Sequence, residues 1–287
     1  MDKCPICNSH SENLRLLASR GSEKVFLRKC ASCRHEFIYP LPSDEWLSEE
    51  YSQYFEKRQS GLYRAKKSYF KNLFNQLSIN FNGSSILEFG PGEGDAISAL
   101  TELYSPKMVT VVERNPEANS MLKDLKCNHF NMFLEEYLDI DPDKQKFDYI
   151  LLFDVLEHLK DPLHAIENLK KTKLNPRGEI IATFPVADSA SRKILGRLWP
   201  QYKVEHLNYF TDGSIGEIAR KTQMKISKND ILMKKLSLNY LLNVGKAFGP
   251  ANFKKATAVI NSITPQKIKK LDVSFGFGEK LVVFKLN

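Results

Sequence analysis

Residues Ser85–Asp95 (SILEFGPGEGD) constrain the fold of this chain more than any other stretch. A short apolar run leads directly into glycines at 90, 92 and 94, and Asp95 then opens an amphipathic segment reaching Tyr104. The pattern predicts a strand, a tight turn and a helix in immediate succession. Glycine permits left-handed backbone and leaves no Cβ between the chain and a ligand. The helix start beyond it offers free N–H groups to an anion or carboxylate. In an open α/β sheet, ligands sit in the crevice at the carboxyl ends of the strands. The spacing is G-x-G-x-G. A dinucleotide-binding fingerprint would place its third glycine at position 95, which is Asp here.

The flanking sequence repeats the alternation of strand and helix. Ser84–Phe89, Met108–Val112, Phe147–Phe153 and Glu179–Phe184 are rich in Ile, Val, Leu and Phe and read as buried strands. Asp95–Tyr104, Pro116–Leu125 and Pro162–Leu174 read as helices between them. Such alternation implies βαβ units and a parallel sheet covered on both faces. The tail adds a helix at Ile215–Thr222, a strand at Lys225–Met233, a long helical region to about Ile263 and a last strand at Lys280–Lys285.

Several motifs in fixed order resemble the class I S-adenosylmethionine-dependent methyltransferases. The first has the form acid-x-G-x-G-x-G, met here by Glu88, Gly90, Gly92 and Gly94. Glu113, at the end of the next strand, stands where an acid holds the ribose hydroxyls. Phe147–Pro162 resembles the fourth strand of that family and its following loop, and Leu174–Pro185 its L-x-P-G-G turn and fifth strand, with Arg177 where glycine is usual. His206–Thr211 (HLNYFT) resembles a segment of one bacterial branch.

The resemblance covers roughly residues 84–225. It implies an α/β fold with a Rossmann-like, doubly wound, seven-stranded and mostly parallel sheet, and S-adenosylmethionine as cofactor. It places Glu88, Gly90, Gly92 and Gly94 along the amino-acid end of the cofactor, Glu113 on the ribose and Asp154 in the same crevice.

Cys4-x-x-Cys7 and Cys30-x-x-Cys33 form two knuckles separated by 22 residues. Four thiolates so paired suit tetrahedral Zn²⁺, and a hairpin absorbs a gap slightly longer than the usual template. Disulfides conflict with the polar N-terminus, which lacks a secretory h-region. So short a module could scarcely fold on its own core, and a structural zinc would supply folding energy. Cys127, the fifth cysteine, reads as a core thiol. The expected organisation is a small Cys4 zinc ribbon at 1–40, a helical linker at 41–80 and the methyltransferase domain at 81–287. Helical substrate cover is expected around 188–200 and 236–263. Together the ribbon, Tyr39–Pro42 and Tyr51–Tyr54 resemble a bacterial architecture associated with sugars and secondary metabolites.

Methyl transfer from a sulfonium is an in-line displacement that depends mainly on alignment, while a hydroxyl or amine acceptor also needs a base. His158, just past the fourth strand, and His206, after the fifth, are the catalytic candidates. Asp154, Glu157, His158 and His206 also loosely resemble the metal-binding set of small-RNA 3′-terminal methyltransferases, with Asp in place of the first Glu. Leu195, Leu198, Trp199 and Tyr202 either wall an acceptor pocket or pack an insertion helix.

The formal net charge of +8 is concentrated late in the chain, with thirteen lysines against three acids from Lys221 onward. A basic surface gathers anionic partners. The favoured reading is a cytoplasmic methyltransferase acting on a small anionic acceptor such as a sugar or secondary metabolite. An RNA- or protein-directed enzyme and a non-catalytic binding module are the alternatives. The ribbon region lacks the basic-aromatic density of a nucleic-acid surface. No apolar run approaches the ~18 residues of a membrane span.

Overall fold

A computed structural model describes residues 3–59, 67–116, 118, 122–142, 144–237, 259–262, 264–265, 268 and 272–287. The first three strands, β1 (Ser11–Arg20), β2 (Glu23–Cys30) and β3 (Glu36–Tyr39), form an antiparallel meander. Helices α1 (Asp44–Gln59) and α2 (Lys67–Leu77) follow. The glycine stretch then gives β4 (Ser85–Phe89) and α3 (Asp95–Leu103), as the apolar run and the amphipathic segment require.

Next come β5 (Met108–Val112), β6 (Asn128–Phe130), α4 (Leu134–Ile140), β7 (Phe147–Phe153), α5 (Pro162–Asn168) and β8 (Leu174–Pro185). The chain continues with α6 (Ala190–Leu195), β9 (Asn208–Tyr209), α7 (Asp212–Thr222), β10 (Met224–Ser237) and β11 (Asp272–Leu286).

Seven strands make one sheet in the order β10-β11-β8-β7-β4-β5-β6. From β8 to β6 the pairs are parallel, while β11 runs antiparallel to both β8 and β10. All five residues of β4 are buried, as expected of a central parallel strand covered on both faces. On one face α2 sets Leu73, Phe74 and Leu77 against Ile86, Leu151, Ile181 and Val283. On the other, Leu87, Phe89, Ile150 and Leu152 join Ile166, Leu169, Ile215 and Ile218.

Sequence expectations and structure differ in extent more than in kind. The helix expected at Pro162–Leu174 stops at Asn168 and unwinds through a wider turn at Leu169–Lys173. Strand β8 then begins at Leu174, which pairs with Phe147, and Gly178 packs so close to Phe147 that a Cβ there would fall 2.9 Å from its carbonyl oxygen. The two tail strands are longer than expected because β10 and β11 pair with each other along most of their length. Of the helix expected at Pro116–Leu125, Pro116, Ala118 and Leu122 are helical, and residues 117 and 119–121 lie outside the described residues. Of the helical cover expected at 236–263, Leu236 and Ser237 instead end β10, residues 259–262 form a helical turn, and the rest lies outside the described residues.

The second sheet, β1-β2-β3-β9, is completed by a strand from far along the chain. Glu36 pairs with Tyr209 and Phe37 with Asn208. Ile38 N donates to Leu207 O at 3.0 Å, and the buried His35 Nε2 lies 3.1 Å from Asn208 Oδ1. The group Leu195, Trp199 and Tyr202 packs on this sheet beside Val25, Leu27, Ile38 and Trp46, with Trp199 buried. Leu198 is exposed instead.

Candidate functional site

At the carboxyl end of β4 the chain turns through Gly90, Gly92 and Gly94, whose φ values are 63°, 55° and 79°. Residues with a Cβ rarely adopt this region. At Gly94 an added Cβ would also meet Leu125 Cδ1 at 2.5 Å, so that side chain would have to shift as well. Glu113, arriving from β5, accepts from the backbone N–H of Gly92 at 3.1 Å and of Asn115 at 2.8 Å. The carboxylate thus pins the glycine turn to the end of the neighbouring strand.

Glu88 lies beneath the turn, buried, and its Oε2 has no hydrogen-bond partner among the described residues. Burial, aided by the negative charge of Glu113, pushes the Glu88 carboxyl up to about 8. Glu113 is also pushed up by burial, against the N–H groups that favour its charged form. Cys127 is half-buried and packs beside Ile97, Val109, Val111 and Leu122.

Asp154 caps β7 in left-handed backbone, φ 55°, which Asp tolerates better than most residues. Its N–H donates to Thr183 O at 2.9 Å, and Thr183 Oγ1 donates back to its Oδ1 at 3.0 Å. The exchange ties the ends of β7 and β8 and leaves Asp154 exposed on the crevice side. A 3₁₀ turn at Leu156–His158 follows directly.

His158 and His206 come together there, with ring centroids 4.8 Å apart and ring planes at 89°. His158 Nδ1 lies 2.8 Å from Glu205 O and 3.5 Å from the Tyr51 hydroxyl. Burial holds His158 down to about 4 and His206 well below the usual imidazole range, with Lys203 lowering both further. Glu157 is buried and raised well above the carboxylate range by burial, then by the charge of Asp154. Both imidazoles are therefore neutral at pH 7 and available as acceptors.

The cysteines form a separate cluster. Cys4 Sγ lies 3.7 Å from Cys33 Sγ, and Cys7 Sγ 3.3 Å from Cys30 Sγ. All four are free thiols whose sulfurs lie within 4.8 Å of one another. Four sulfurs at about 2.3 Å from one ion stand roughly 3.8 Å apart, so the cluster has the size of a tetrahedral metal site. Each knuckle closes on a left-handed residue, Asn8 at φ 65° and Arg34 at φ 62°. Thr211 Oγ1 donates to Cys33 O at 2.8 Å, and a Cβ at Gly213 would lie 2.6 Å from the same oxygen. The second knuckle is therefore seated on the start of α7.

The structure brings Glu88, Gly90, Gly92, Gly94 and Glu113 to one edge of the sheet, and Asp154, His158 and His206 to the strand ends beside it. Sequence reasoning did not find Thr183, which orients Asp154, or the contact of Tyr51 with His158. Both lie in segments that carry a resemblance, Leu174–Pro185 and Tyr51–Tyr54, but nothing local to either assigns it this partner.

A glycine turn at the central strand, an acid at the end of the next and an antiparallel final strand define an S-adenosylmethionine-dependent methyltransferase. The chain belongs to the methyltransferase domain family, which matches residues 55–228. Among solved structures, it is similar to a chain of the complex between the Haloferax volcanii Trm112 methyltransferase activator and a methyltransferase. The two share 14% identity over 84% of this chain and 96% of that one, with a TM-score of 0.54. A SAM-dependent methyltransferase from Archaeoglobus fulgidus is similar at 18% identity, over 81% and 99% of the two chains, with a TM-score of 0.52. At these identities the likeness concerns the fold. No curated protein matches in sequence. Among the described residues no helix is long and apolar enough to cross a membrane.

Proposed function

We propose that the chain transfers a methyl group from S-adenosylmethionine to a small acceptor held at the ends of β7 and β8. The observation that carries this reading is the positive-φ glycine turn pinned by Glu113, with the unpartnered Glu88 oxygen beneath it. These residues fit the donor. Gly90, Gly92 and Gly94 give room for its amino-acid end, the Glu113 carboxylate is an acceptor for ribose hydroxyls, and a buried acid suits a cationic ligand. When bound, S-adenosylmethionine supplies an electrophilic methyl on a sulfonium, released to the nucleophile as the carbon–sulfur electron pair returns to sulfur.

The chain's own work is then placement. Asp154, fixed by Thr183, faces the crevice. His158 and His206, neutral and perpendicular, hold the acceptor's nucleophile and accept its proton. Around them Asp154 and Glu279 bring negative charge and Lys203 positive charge. An anionic group on a sugar or secondary metabolite would therefore lie away from the reacting end. The four cysteines hold a structural Zn²⁺ that fixes the small sheet, and through Thr211 and β9 the segment carrying His206.

Titration calorimetry with S-adenosylmethionine tests the reading. Saturable binding, abolished in Gly92→Val, is the expected result, since a branched side chain at φ 55° blocks the approach. Absence of binding at millimolar donor overturns it. Mass spectrometry of ligands co-purified with the active protein then defines the acceptor.

A further inference from the structure

Glu157, His158 and His206 meet although two loops supply them. Glu157 and His158 are on the 3₁₀ turn after β7, and His206 is in the segment leading into β9. Each offers one ligand atom within 4.8 Å of the other two. Glu157 is 1% exposed and His206 5%, and neither Glu157 Oε2 nor His206 Nδ1 has a hydrogen-bond partner among the described residues. Native structures seldom bury two such atoms side by side without a partner to serve both.

The third residue is already oriented. Glu205 O can only accept, so His158 Nδ1 carries the proton and Nε2 keeps its lone pair. A backbone carbonyl on the remote nitrogen is the usual device that aims an imidazole at a metal. Asp154 and Glu279 add further negative charge around Glu157, with Lys203 opposing it. A positive ion among these groups would serve both unpartnered atoms at once.

We propose that Glu157, His158 and His206 bind one divalent transition-metal ion, distinct from the four-cysteine site. One carboxylate oxygen and two imidazole nitrogens suit Mn²⁺, Fe²⁺, Co²⁺ or Zn²⁺, whereas four thiolates favour Zn²⁺ alone among these. Asp154 stands outside the set, its Oδ1 accepting from Thr183. Three protein ligands leave positions open to water or to an oxygen of the acceptor. An acceptor hydroxyl bound there is more acidic and can release its proton to water; with the ion in place the two imidazoles are ligands, and their role as bases belongs to the ion-free protein. That role rests on the methyltransferase reading; the binding of the ion does not.

The test is Mn²⁺ titrated into protein carrying one zinc per chain, with uptake followed by loss of the free-ion EPR signal. The expected result is one saturable Mn²⁺, weakened at least ~10-fold in Glu157→Gln and in His206→Gln. Pulsed EPR of the wild-type complex should show imidazole nitrogen couplings, a readout independent of how the variants fold. S-adenosylmethionine affinity and zinc content of the variants report their folding. Absence of saturable uptake overturns the proposal. Uptake without nitrogen coupling, or equal uptake in properly folded Glu157→Gln and His206→Gln, overturns it equally.

Discussion

The two ends of the central strands treat their carboxylates in opposite ways. At the amino end of β7, Asp148 accepts from Ser85 N at 2.8 Å, Ser85 Oγ at 2.8 Å and Asn175 Nδ2 at 2.8 Å. These hydrogen bonds outweigh burial and hold its carboxyl below the usual range. At the carboxyl end, Glu88 and Glu157 are buried with an oxygen unpartnered, and both are pushed up. One end is a closed network that joins three segments. The other holds polar groups that have no partner among the described residues. Buried polar atoms ordinarily find partners, so the unsatisfied end is where a ligand belongs.

Four changes would sharpen or break this contrast. The largest effect is expected at the cysteines, a third arrangement whose proposed partner is a structural zinc. Cys30→Ser should release zinc and unfold β1–β3, because structural zinc accounts for much of the folding energy of so small a sheet. Zinc content and limited proteolysis within residues 1–43 check this. Retention of full protection would show that the contacts with β9 suffice alone.

Next is Glu113→Ala, which frees the N–H groups of Gly92 and Asn115 and removes the proposed ribose partner. Charge-assisted hydrogen bonds contribute ~1.5–3 kcal/mol, so S-adenosylmethionine affinity should fall ~10- to 100-fold in calorimetry. The melting temperature should change little.

Asp148→Ala is the mirror experiment. It strands two donors on Ser85 and one on Asn175, and should lower stability by ~1–3 kcal/mol in chemical denaturation. Donor affinity should stay within about twofold, an effect below ~0.5 kcal/mol. A large loss of affinity here would erase the distinction between the ends.

The smallest effect concerns pH. Glu88 has its proton held up to about 8 in the folded protein, against an ordinary value of 4.5. Between these values the unfolded chain has lost the proton and the folded protein has kept it. The folded state then binds more protons, and its stability falls as pH rises through that window. Glu88→Gln does not titrate. The stability of the wild type relative to this variant should be greatest below pH 4.5, decline toward 8 and level off beyond it. Melting curves across that range, without S-adenosylmethionine, check it, and a flat difference would deny the burial of Glu88.

The proposed cofactor edge was legible in sequence as a cluster because its parts are local. Glu88, Gly90, Gly92 and Gly94 lie on one strand and turn, and Glu113 ends the adjacent strand. Four cysteines in two knuckles were equally visible. The acceptor edge was legible only as separate candidates. His158 and His206 stood out as histidines after strands, but their meeting with Glu157, and the arrival of Tyr51, depend on how the small sheet docks. Two assignments left open were decided by packing. Trp199 and Tyr202 cover the small sheet, and Asp154 is engaged with Thr183.

By itself the sequence determined the alternation of strands and helices, the glycine turn and the paired knuckles. Each is set by periodicity or by backbone demands within a dozen or so residues. Only the tertiary structure decided that β9 joins the cysteine-bearing sheet and that the histidine site forms at that seam. The contacts responsible join residues far apart in the chain, 173 positions for His35 with Asn208 and 107 for Tyr51 with His158. Hydrogen bonds and buried surface between such residues exist only once the chain has folded, and no local pattern encodes them.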